Sequence, residues 1–247
     1  MSAYSILVLV HAGLGTLALA TFWTAGLARK GSPVHVAAGR IYLLAMVALL
    51  LIAVPLSIAT LLDRPVAGAF LLYLVVITGT AVWTSWRAVA DKRDWARYTG
   101  RVYRGLMWAN LASALAIGAV GVLLAQFAQV VIVSFAGIGL ITFVRMWKFS
   151  RAAPAEPRWW MREHLLAMLG NGVATHIAFL SIGLPKLLPM LAGPTLQNLA
   201  WLGPVVVAIG ASVVLTRKYL PARATTASAA PRRPLSAGAA TGPAGRG

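Results

Sequence analysis

The amino-acid sequence predicts an all-α, polytopic membrane helix bundle of about seven transmembrane helices. Three observations predict it. The chain is 60% hydrophobic and only 11% charged, with a mean hydropathy of +0.79; a soluble domain carries roughly 45–50% apolar and about 25% charged residues. The apolar residues fall in long unbroken runs of transmembrane length, ~20 residues, rather than in alternation. Every backbone polar group in lipid must be bonded internally, so only helices or a closed barrel can span, and unbroken runs select helices. Thirdly, the bases segregate between alternate loops.

Helix 1 runs from about Ser5 to Ala28, with no basic residue before it and too long a run for a signal peptide. Helix 2 spans about Ala38–Leu62 and contains Pro55, a kink that lipid tolerates. The remaining spans are about Val66–Trp86, Gly105–Ala125, Val130–Trp147, Glu163–Gly183 and Leu199–Leu215. The bases after odd-numbered helices are Arg29, Lys30 and Arg40; Arg87, Lys92, Arg93, Arg97, Arg101 and Arg104; Arg145, Lys148, Arg151, Arg158 and Arg162; and Arg217, Lys218, Arg223, Arg232, Arg233 and Arg246. Those are 20 of the 22; only Arg64 and Lys186 lie on the other side. Positive-inside bias then sets the N-terminus outside the cell membrane and the C-terminus in the cytoplasm. Trp86, Trp147, Trp159 and Trp160 fall at the cytoplasmic ends, where an aromatic belt is expected.

The bundle is expected to occupy residues 1–219, followed by a disordered basic cytoplasmic tail over 220–247, built of Ala, Pro, Gly, Thr and Arg. The tail either rests on anionic lipid or is an inert solvated segment, the commoner fate. Pro185, Pro189 and Pro194 break the stretch between helices 6 and 7, which is expected to lie along the outer interface or cap the bundle as a lid. The formal charge of +17 would suit nucleic acid, but its placement assigns the partner as the lipid bilayer, with no nucleic acid expected. The absence of cysteine excludes disulfides, thiolate metal sites, iron–sulfur clusters and covalent c-type haem.

A short motif recurs. Gly39-Arg40-Ile41-Tyr42 with Met46 returns as Gly100-Arg101-Val102-Tyr103 with Met107, and Arg162 with Met168 keeps the spacing. The reading is repeated helical hairpins, each begun by an arginine at headgroup level. Arg40 and Arg101 are then candidates to bind an anionic headgroup or a haem propionate, or are simple interfacial anchors. The three methionines are better read as packing than as axial ligands.

Only five acids exist, Asp63, Asp91, Asp94, Glu156 and Glu163, all in loops or at helix ends. Lacking a mid-membrane carboxylate, the chain reads poorly as a proton relay or cation-coupled transporter. The four histidines are the candidate site. His11 and His176 share the outer half by depth; His35 and His164 share the cytoplasmic edge. Two layers of imidazole are how a bundle holds two b-type haems, and Gly13, Gly15, Gly170 and Gly172 leave room beside them. Against this, His164 and His176 are twelve residues apart, a rotation of about 120° on an ideal helix. They then face different gaps. A quinone pocket and purely structural hydrogen bonding between helices are the competing readings.

The succession His11-Ala12-Gly13-Leu14-Gly15-Thr16, Lys30-Gly31-Ser32-Pro33-Val34-His35, Gly39-Arg40-Ile41-Tyr42 with Met46, Trp160-Met161-Arg162-Glu163-His164 with Met168, and Ala174-Thr175-His176 with Phe179 resembles the bacterial predicted-membrane-protein family called domain of unknown function 2306. The likeness covers about residues 8 to 215. The family is itself uncharacterised, so it implies a membrane protein and no activity. Its pattern at the position of His176 is more often Thr or another small residue, which implies that His11, His35 and His164 are the stronger set. The expectation from sequence is a redox protein holding haem b or a quinone and serving an unidentified redox partner. The alternatives are a small-solute transporter and a non-catalytic scaffold or sensor.

Overall fold

The computed structural model describes residues 2–125, 129–187, 189–191 and 193–220, with the backbone alone at 182–187 and 191. Every regular element among the described residues is helical. They are α1 (Ala3–Leu27), α2 (Pro33–Asp63), α3 (Pro65–Ala90), the short α4 (Trp95–Tyr98), α5 (Arg101–Leu123), α6 (Gln129–Arg151), α7 (Trp159–Leu187), a 3-10 turn (Pro189–Leu191) and α8 (Pro194–Tyr219). All but α4 and the 3-10 turn include a stretch long and apolar enough to cross a membrane, seven in all. The chain is a multi-pass membrane protein. The tail beyond residue 220 lies outside the described residues.

Local chemistry extends several helices past their predicted ends. Ser32 caps α2, its hydroxyl accepting from the His35 N–H at 3.2 Å, and Pro33 follows at the first helical position, so α2 begins five residues before Ala38. His35 therefore lies in the first turn of a helix instead of ahead of one. A single residue, Arg64, separates α2 from Pro65 of α3. The turn closes because Gly68 lies against the Leu61 backbone, where any Cβ would collide. Pro194 likewise opens α8, and Pro185 falls within the last turn of α7. The stretch expected as a separate outer lid is thus largely absorbed into two helices, with the 3-10 turn between them among the described residues; the side chains of 182–187 lie outside the described residues. Pro55 sits inside a continuous α2.

The helices α3 and α7 form the centre. α3 packs on α2, α5 and α7; α7 packs on α1, α3 and α8. One apolar cluster joins Ala18, Tyr42, Met46, Leu49 and Val82 to Phe22 and Met168, across α1, α2, α3 and α7. A second joins α3, α5 and α6 through Phe70, Tyr73, Ala114, Ile132 and Phe135. The third lies at the basic end, where Tyr98, Tyr103, Met107, Met146 and Trp159 pack. Trp159 is therefore core, while Trp86 and Trp147 are exposed as belt residues are. The outward apolar faces of α1 and α8 are the surfaces that lipid solvates.

The repeat holds in part. Tyr42 and Tyr103 are both buried, as are Met46 and Met107. The arginines differ: Arg101 is the first residue of α5 after the Gly100 cap, whereas Arg40 lies two turns into α2. Both are exposed.

Candidate functional site

Helix α7 carries a stripe that its spacing dictates. His164, Met168, Asn171 and Thr175 stand at i, i+4, i+7 and i+11, so they share one face. That face meets α3 and α2. The His164 Nδ1–H donates to the Ser85 carbonyl at 2.9 Å, and the Asn171 amide donates to Ser85 Oγ at 3.3 Å. Ser85 Oγ donates in turn to the Val82 carbonyl at 2.9 Å. Farther in, the Thr175 hydroxyl donates to the Asn171 carbonyl at 3.0 Å, and the Tyr42 hydroxyl lies 3.0 Å from Thr175 Oγ1. Since Thr175 has one proton and it is used, Tyr42 is the donor of that pair. Asn171 is completely buried, yet its Oδ1 has no donor.

The α1–α2 turn brings two more groups to this end. The His35 Nδ1–H donates to the Ala25 carbonyl at 2.9 Å. Lys30 donates to the carbonyls of Ala25 at 3.1 Å, Gly26 at 2.5 Å and Ala28 at 3.4 Å, neutralising the C-terminus of α1. Burial, and then the charge of Lys218, hold the Lys30 ammonium below its ordinary pKa. His164 lies within electrostatic reach of both His35 and Lys30. A carbonyl can only accept, so each Nδ1 carries the proton, and in the neutral ring each Nε2 carries a lone pair. Neither Nε2 has a bonded partner among the described residues, and neither is sealed from its surroundings.

His176 follows Thr175 but faces α1, as the rotation from His164 requires. Its Nε2 accepts from Trp23 Nε1–H at 3.1 Å, and its Nδ1–H donates to the Gly172 carbonyl at 2.7 Å. Phe22 and Trp23 stand edge-on to the ring, with centroids 5.5 and 5.6 Å away. Both nitrogens are used. The Phe22 ring also fills the notch at Gly172, so that glycine accommodates an aromatic side chain rather than a macrocycle. His11 shares the inner stripe of α1 with buried Ala18 and Ala25, and its Nδ1 is sealed without a partner. It lies twelve residues before Trp23, ~18 Å along an ideal helix. His11 and His176 are therefore not brought together. Arg40 and Arg101 form no ion pair among the described residues.

Two other polar groups flank α3. Asn110, fully buried on α5, donates to Thr80 Oγ1 at 2.7 Å and to the Leu106 carbonyl at 2.8 Å, and its Oδ1 has no donor. At the basic end, buried Glu163 pairs with Arg145 at 3.5 Å and Arg162 at 3.8 Å. Buried Asp91 lies 2.5 Å from Arg87 and 3.4 Å from Arg97. The Asp91 Oδ2 contact is a close ion pair whose angle is not that of a hydrogen bond. Burial, and then Glu163, push the neighbouring Tyr98 hydroxyl far above its ordinary pKa. This cluster ties α3, α4, α6 and α7 together and leaves its carboxylates occupied.

Sequence reasoning singled out the histidines but missed Ser85, Asn171 and Thr175. The α7 stripe was the available signal: four non-aliphatic residues on one face of an apolar helix. No group of three or more histidine and carboxylate side chains suited to a metal ion occurs among the described residues. No protein-family model matches the chain, and no curated protein or solved structure matches it.

Proposed function

We propose that the chain is a redox protein of the cell membrane whose working centre is the His35–His164 end of α7, where the two imidazoles hold a lipid-soluble quinone carrier. One observation carries the reading: each ring is fixed by Nδ1 on a backbone carbonyl and, among the described residues, keeps an unbonded Nε2. Met168 stands one turn from His164 on the same face of α7 and, with Met46 and Tyr42, belongs to an apolar cluster of the kind a flat ring packs on.

Haem b is the second reading, with His35 and His164 as axial ligands. It is favoured by the same anchoring, because a metal-bound histidine ordinarily gives its other N–H to a carbonyl or carboxylate. The filled notch at Gly172 speaks against a second haem at His176. His11 remains a single-ligand candidate, and Arg40 and Arg101 remain candidates for propionates at the basic end. Iron, if bound, would supply one-electron chemistry; the protein's part is to fix the two rings and exclude water.

The orientation belongs to the same proposal: 20 of 22 bases at one end put that end in the cytoplasm and the N-terminus outside. So does membership of the domain of unknown function 2306 family, which rests on the motif succession alone. A small-solute transporter is less well supported, since the seam holds hydroxyls and amides but no carboxylate at mid-membrane.

Titrating the detergent-solubilised protein with a short-tailed benzoquinone, read by quenching of its tryptophans, tests the proposal. Saturable quenching is expected, lost in His35→Ala and His164→Ala and kept in His176→Ala. A visible spectrum with and without dithionite decides the haem reading. Absence of both quenching and a haem band would leave a scaffold or sensor as the better account.

A further inference from the structure

Apart from half-buried Arg87, the described arginines and Lys218 at this end are exposed; among the described residues of the seam itself, the unspent hydrogen-bonding capacity lies chiefly on acceptors. Lys30 has three N–H bonds, and all three point at the carbonyls of Ala25, Gly26 and Ala28. The hydroxyl protons of Ser85 and Thr175 go to the carbonyls of Val82 and Asn171, and that of Tyr42 goes to Thr175. Both Nδ1–H groups are held by Ala25 and Ser85. Among the described residues, no partner meets the Nε2 lone pair of His35, the Nε2 lone pair of His164 or, sealed farther in, the Oδ1 of Asn171. These are acceptors.

A buried or half-buried acceptor gains by meeting a donor and loses by meeting another acceptor. The two oxidation states of a quinone carrier differ in this respect. The oxidised form presents two carbonyl oxygens, which only accept; the reduced form presents two phenolic hydroxyls, which donate. We infer that the site selects the reduced, hydroxyl-bearing form of its carrier, holding each hydroxyl on the Nε2 of His35 or His164. The inference rests on the proposed quinone reading and sharpens it: the chain takes up hydroquinone from the lipid phase and binds the quinone weakly.

Parallel titrations of the full-length protein in detergent test this, using a short-tailed benzoquinone and the same compound kept as its hydroquinone under anaerobic ascorbate. Wild type is expected to bind the hydroquinone at least about tenfold more tightly, the scale of one to two net hydrogen bonds. His164→Gln and His35→Gln each replace a lone pair by an amide that can also donate, so each is expected to reduce the preference severalfold. Having two such variants guards against one that fails to fold, which circular dichroism would reveal. Equal affinities, or tighter quinone binding, overturn the inference while leaving quinone binding itself intact. A preference unchanged in both glutamine variants also overturns it. Binding of neither form overturns the quinone reading and this inference together.

Discussion

His164 and His176 lie on one helix and make the same first bond, an Nδ1–H donated to a backbone carbonyl. They part at the second nitrogen. Trp23 closes the Nε2 of His176, while no described residue closes that of His164. The face of α7 toward α1 is thus complete, with Phe22 against Gly172 and both imidazole nitrogens satisfied. The face toward α2 and α3 keeps acceptors in reserve. An intramembrane histidine therefore does not mark a ligand site by itself; what its second nitrogen meets decides.

Substitutions on the closed face should cost stability alone. The largest cost is expected at Gly172→Leu, where the new side chain drives into the Phe22 ring; about 1–3 kcal/mol should be lost, the usual penalty of overpacking. As a control on the α3 side of the same helix, Gly170→Ala, whose Cβ meets only Ala81 at 3.8 Å, should be nearly neutral in the same thermal-unfolding assay. An unchanged Tm in Gly172→Leu would mean that this face is open after all.

On the reserved face the effect should move to binding. His164→Phe is expected to weaken carrier binding by about tenfold or more, one hydrogen bond to a desolvated partner. His176→Phe should leave binding unchanged and cost about 0.6–1.7 kcal/mol of stability through the lost Trp23 bond, the range for interhelical hydrogen bonds in membranes. If the two variants exchange these behaviours, the comparison is inverted. Tyr42→Phe should cost about 0.6 kcal/mol and spare binding, because Tyr42 serves Thr175 and not the ligand.

The smallest expected effect concerns Lys30. Its pKa is lowered in the folded protein, so the unfolded chain holds more protons between the folded value and the ordinary one, and stability rises with pH across that window. Lys218→Ala should move the Lys30 titration back up and flatten the rise, as read by the pH dependence of lysine modification.

The spans were legible because lipid leaves few alternatives: seven long apolar runs give seven crossing helices. The helix starts were less so. Ser32-Pro33 is a capping signal that apolar counting passes over, and it moves His35 into α2. The 120° turn between His164 and His176 could be computed from spacing alone, and the two residues do face different helices. What spacing does not contain is the partner. Nothing in the sequence around Trp23 or Ser85 says which histidine each will meet, since those contacts join positions 153 and 79 residues apart. For the same reason the depth pairing of His11 with His176 gave no hint that Trp23 would intervene. Only the α7 stripe, readable at i, i+4, i+7 and i+11, offered Asn171 and Thr175 to a reader of the sequence.

The account turns on His35 and His164 addressing one site while His11 and His176 do not. The chain has no cysteine, so paired cysteines can be introduced without background. His35→Cys with His164→Cys, treated with a short bifunctional maleimide in detergent or native membranes, should cross-link efficiently within one chain, and bound carrier should slow the reaction. His11→Cys with His176→Cys should not cross-link under the same conditions. Cross-linking of the second pair with none in the first would contradict the account.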